Sequence, residues 1–146
     1  MKLSELQDAW SQDSRIDETN LGREAVRTAQ LHAKYLNWLG SVRLNLRKAE
    51  SEYFNLRRKK YRYYRGEMTR EELAQEQWTQ FQGNKPLKNE MDEILSTDAD
   101  LITQQDKVEY FKTVLNQLEQ IIRSINSRTW DVKNAIEWNR FTNGMI

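Results

Sequence analysis

The chain has 146 residues, 38% of them hydrophobic and 31% charged, with a mean hydropathy of −0.93 and a net charge of only +1. It contains one proline, five glycines and no cysteine, which excludes disulfides, thiolate nucleophiles and cysteine metal sites. No apolar run approaches the roughly 18 residues that span a bilayer, and "MKLSELQDAW" lacks the apolar core of a signal peptide. A soluble, intracellular protein without a membrane partner is expected.

So lean a composition suits an all-α, elongated, coiled-coil-like hairpin in which each helix buries only a stripe. In chain order, residues 1–20 predict a short amphipathic helix through Leu3, Leu6 and Trp10. A first long helix over 21–66 follows from the seam Ala25, Thr28, His32, Tyr35, Leu39, Val42, Leu46, Ala49, Tyr53, Leu56, Lys60, Tyr63, spaced alternately by three and four. The connector 67–96 holds short helices, one opened by a Thr69–Glu72 capping box and ended by Gly83-Asn84-Lys85-Pro86. The second long helix occupies 97–146, with Ser96 or Thr97 as N-cap and the seam Leu101, Gln104, Val108, Phe111, Leu115, Leu118, Ile122, Ile125, Thr129, Val132, Ile136, Asn139. Both runs cover about 40 residues, roughly 60 Å of helix, which predicts an antiparallel pair.

The second helix carries further apolar residues off this seam, at Tyr110, Val114, Ile121, Trp130, Ala135 and Trp138. More apolar surface than one partner covers argues for homo-oligomerisation, with Ile121, Ile122, Ile125, Trp130, Val132, Ile136 and Trp138 as candidate contacts. The alternative cover is a third helix of the same chain, the N-terminal one.

Enzymatic chemistry finds no support. His32 is the only histidine and falls on a seam. The stretch from Asp98 to Glu109 has the length of a calcium loop but lacks its central glycine and places Ile102 where an oxygen ligand belongs. The glycine at 83 lies outside any phosphate-loop spacing. No nucleophile–base–orienter set can be assembled, so neither catalytic residues, nor a metal, nor a cofactor is expected.

Charge is segregated behind the neutral total. Residues 31–65 hold ten cations and two anions, whereas 66–100 hold three and nine. The peak is "RRKKYRYYRG", Arg57 to Gly66, with six cations and three tyrosines. On a helix Arg58, Arg62 and Arg65 share one face, with Arg47 on the turns before them; Arg57, Lys60, Tyr61 and Tyr64 form the adjoining face, and Lys59 adds charge. Rows of cations neutralise phosphates, while rings stack on bases that are free only in single strands. A helix dipole accounts for one or two terminal cations, not six. Two other readings remain: a coiled-coil scaffold whose basic segment binds an acidic protein, and an adaptor for an anionic membrane. The acidic arm suggests a second surface, for a basic partner or for self-association.

Several collinear blocks carry a resemblance: "LQDAWSQDSRID", "LHAKYLNWLGSV", the basic segment running into "YYRG", "EMDEILSTDADL" and "IRSINSRTWDVKNAIEWNRF". Over nearly the whole chain the sequence resembles the UvsY family of recombination mediators from T-even-type phages. Between Gly66 and Asn89 the match is poor, and the stretch reads as longer than the family's usual form. The resemblance implies a non-catalytic single-stranded DNA-binding protein that assembles through C-terminal sequence into closed rings, hexamers or heptamers. It implies as partners a RecA-like phage recombinase and the phage single-stranded DNA-binding protein that this recombinase replaces. The implied location is the cytoplasm of the infected bacterial host. The family's Lys-Ala-Arg-Leu element falls on Arg58-Lys59-Lys60-Tyr61, so the resemblance gives its two cationic roles to Arg58 and Lys60.

Overall fold

The computed structural model describes residues 2–144, which are all-helical: α1 (Leu3–Asp13), α2 (Leu21–Tyr64), α3 (Arg70–Glu76), α4 (Lys88–Ser96) and α5 (Ala99–Thr142). Two compact units divide them, Met1–Asn45 with Phe111–Ile146, and Leu46–Tyr110.

In the first unit α1 and the adjacent portions of α2 and α5 share one core. Leu6, Leu31, Tyr35, Leu39 and Val42 meet Val114, Leu118, Ile121 and Ile125. Here α2 and α5 run antiparallel, because Arg128 reaches Glu24 while Arg43 lies 3.6 Å from Glu119. The buried Arg128 donates to the Glu24 carbonyl (2.7 Å) and to Thr28 Oγ1 (2.9 Å), and it pairs with the Glu24 carboxylate. α1 is fastened at its end by Asp13, which accepts from the Tyr35 hydroxyl (2.8 Å) and from Lys34 (2.6 Å). Trp10 meets the Tyr35 ring edge-on at 5.4 Å.

The seam is shifted by one residue at alternate positions. Leu31 is buried rather than His32, and Glu24 rather than Ala25; on α5 the buried residues are Val114, Ile121 and Arg128 rather than Leu115, Ile122 and Thr129. α1 supplies a third wall that turns the buried stripe toward it, since Leu6 joins the same core as Leu31, Val114 and Ile121. Part of the apolar excess on α5 is therefore covered within the chain. Ile121, Ile125 and Val132 are buried within the chain and Ile122 is half-buried. Trp130, Ile136 and Trp138 remain exposed, together with Phe141.

The second unit packs Met91, Leu95 and Leu101 against Tyr53, Leu56, Tyr61 and Tyr64. α2 ends where Gly66 takes φ 70°, with Gly66 N–H donating to the Tyr63 carbonyl and Glu67 N–H to that of Arg62. That double closure is a Schellman turn, for which glycine is the usual residue. Thr69 and Glu72 then form the capping box that opens α3. α3 stops at Glu76, well before Gly83, because Gln77 adopts the left-handed conformation (φ 61°). This turn sends Trp78 back onto Tyr63, ring centroids 5.4 Å apart, an aromatic contact that offsets the left-handed backbone. Asp98, not Ser96 or Thr97, caps α5: its Oδ1 accepts from Leu101 N–H at 3.0 Å. Ser96 and Thr97 instead close α4, their hydroxyls donating to the Glu93 carbonyl.

Candidate nucleic-acid interface

The basic end of α2 lies wholly in the second unit, and most of its cations face carboxylates from the acidic stretch that follows. Arg57 meets Asp92 at 3.2 Å, Lys59 meets Glu76 at 2.6 Å and Arg65 meets Glu67 at 2.8 Å. Arg62 grips both oxygens of Glu72. The same carboxylate serves the capping box of α3; these hydrogen bonds, with Arg62 foremost, pull its pKa down to about 2. Much of the acidic arm is therefore spent on the basic segment. Six of its nine acids are counter-charges of that segment.

Lys60 departs furthest from the expectation. It is 6% exposed, its ammonium lies 3.2 Å from Asp98 and 2.7 Å from Asp100, and the Trp78 ring sits over it at 4.2 Å. Burial works against the Asp98 charge. The Tyr64 hydroxyl (2.7 Å), the Leu101 N–H and the Lys60 ammonium together still hold Asp98 below the usual carboxylate range. Tyr64 is equally committed, since its ring packs on Tyr63 and Phe81 at 5.2 and 5.0 Å. Both residues point to the core face of α2, where the seam Ala49–Tyr53–Leu56–Lys60 runs, and neither presents itself to a strand.

What remains outward is a different set. Arg47 and Arg58 are exposed and have no ion pair among the described residues. Phe54, which falls outside the basic stretch and off the seam, is 66% exposed on the same face. Phe54, Arg57, Arg58, Tyr61, Arg62 and Glu67 line a groove of about 450 Å³. Tyr61 is half-buried, packed inward on the unit core and covered by Arg65 at 5.7 Å. The letters do hold a clue to Phe54: a large ring one residue past the Tyr53 seam position, four residues before Arg58, has no place inside a two-helix seam.

A family model described as recombination, repair and ssDNA binding protein UvsY matches residues 9–145. The chain belongs to the UvsY family. It is 25% identical over 144 residues to the recombination protein uvsY of Enterobacteria phage T4, with 99% of each chain covered. Crystal structures of the bacteriophage T4 recombination mediator protein UvsY are similar in fold at 25% identity. The lattice type II form gives a TM-score of 0.83, covering 98% of both chains. The type I form gives 0.82, covering 94% of this chain and 98% of that one. No helix of the described residues is long and apolar enough to cross a membrane.

Proposed function

We propose that the protein is a recombination mediator. It binds single-stranded DNA as a homo-oligomer in the cytoplasm of the infected host, and helps load a RecA-like recombinase in place of the single-stranded DNA-binding protein. The observation that carries the proposal is the outer face of α2, where Arg47 and Arg58 stand without counter-charge beside exposed Phe54 and half-buried Tyr61, on a chain of the UvsY family.

In this reading Arg58 is the primary phosphate contact. Arg57, Lys59, Arg62 and Arg65 join only by exchanging a carboxylate for a phosphate, which makes single-site binding weak. Protomers assembled into a ring through the exposed end of α5 (Trp130, Ile136, Trp138 and Phe141) repeat that weak site many times. Avidity then rises without new contact types. A strand held across several subunits is drawn away from its former coat, which leaves it open to the recombinase.

Arg58→Ala is expected to weaken binding of a labelled oligonucleotide in fluorescence anisotropy. It should also flatten log K against log[salt] by about 0.7 for each phosphate that the variant no longer engages. An unchanged slope would remove Arg58 from the site. Glu72→Gln and Glu76→Gln should each do the reverse, raising affinity roughly two- to five-fold, since an exposed ion pair no longer has to be broken. Glutamine at 72 still completes the capping box. The five cations that already hold carboxylates also favour a second reading, a scaffold for an acidic protein. Polyglutamate competing better than oligonucleotide of equal charge in the same assay would select it.

A further inference from the structure

We infer that the groove on the outer face of α2 is a seat for one unpaired nucleobase, stacked on the exposed ring of Phe54 with Arg58 beside it. The inference rests on the single-stranded DNA reading above and specifies how that site holds its ligand.

Phe54, Arg58 and Tyr61 are spaced i, i+4, i+7, so they rise along one face of α2. Seven residues of helix advance the backbone by about 10.5 Å from Phe54 to Tyr61. The groove volume of about 450 Å³ is of the size that takes a small organic ligand. Its charge selects an anionic one: Arg57, Arg58 and Arg62 line it against the single carboxylate of Glu67, which is itself engaged by Arg65. Within this lining Arg57 holds Asp92 and Arg62 holds Glu72, whereas Arg58 has no such partner among the described residues.

A phenylalanine 66% open to water amid three arginines needs a flat apolar occupant. An acidic peptide would satisfy the arginines and leave the ring wet. A membrane would need an aliphatic face that this stretch of helix lacks. A second copy of the same face would set arginines against arginines. A base in a duplex has both faces stacked already, so the occupant is a base from a single strand.

The test compares a natural oligonucleotide with one of equal length and charge built wholly of abasic residues, using the full-length protein in fluorescence anisotropy. Wild type is expected to bind the abasic strand roughly ten-fold or more weakly. Phe54→Leu should lose about the same factor on the natural strand with its salt slope intact, and Phe54→Trp should retain wild-type affinity. Equal wild-type affinity for both strands overturns the seat while leaving the phosphate-binding reading in place. If neither strand binds at low salt, the single-strand reading falls and the seat with it. A Phe54→Leu variant with altered native mass in light scattering would make Phe54 a subunit contact and overturn the seat as well.

Discussion

Replacing Lys60 with methionine is expected to destabilise the fold by about 3–5 kcal/mol rather than to weaken DNA binding specifically. The ammonium lies 6% exposed between Asp98 and Asp100, and Asp98 is buried as well. Removing one member of a buried pair strands the other's charge away from water, and that penalty runs to about 3–5 kcal/mol. Methionine keeps the apolar stem against Trp78, so the change isolates the charge. In a chain of this size the loss corresponds to a fall in Tm of roughly 6–20 °C. Urea or thermal unfolding reads it directly, and the salt slope of oligonucleotide binding should stay that of wild type. A flattened slope at unchanged Tm would return Lys60 to the phosphate contacts that the family resemblance implies.

The same physics operates in the other unit at Arg128, where alanine should cost about 3–5 kcal/mol. Arg128 is 3% exposed and answers both the carboxylate and the carbonyl of Glu24, itself 6% exposed. Burial pushes the Glu24 pKa up, but the hydrogen bonds and charges of Arg128 and Arg27 together bring it below the ordinary 4.5. Wild type therefore draws stability from this group above pH 4.5 and loses it as acid titrates the carboxylate. In the variant burial is less opposed, the pKa rises, and protonation relieves the stranded charge. The stability gap between the two proteins should narrow as pH falls below about 4.5. A gap that stays constant between neutral pH and pH values well below that point would show that lost packing, not charge, explains the effect.

Helix type and order were legible because caps and periodicity are local. Thr69 and Glu72 are three residues apart and form their box whatever surrounds them. The seam was legible in outline and off by one at Leu31, Val114, Ile121 and Arg128, because the letters fix the repeat but not which neighbour of a seam position turns inward once α1 packs on the pair. Arg128 shows the deeper reason. Nothing in the letters distinguishes a cation on a solvated face from one whose partner sits 104 residues away. The basic segment misled in the same manner: its charge was evident, and so was that of the acids after it. Their mutual neutralisation depends on the reversal at Gly66 and on the left-handed Gln77, which bring Glu72 and Glu76 back along α2. Counting charge located the region. Only geometry separated Arg58, left outside, from Lys60, sealed within.

That enclosure bears on how contacts with a strand would be mapped chemically. An amine-selective reagent meets Lys48 and Lys59 at the surface, but the ε-amino group of Lys60 lies behind Trp78 and two aspartates. Its failure to acquire a label would read as shielding by nucleotide even when none has been added. Lys60 thus belongs among the internal standards of such an experiment, and protection there has meaning only after subtraction of the DNA-free trace.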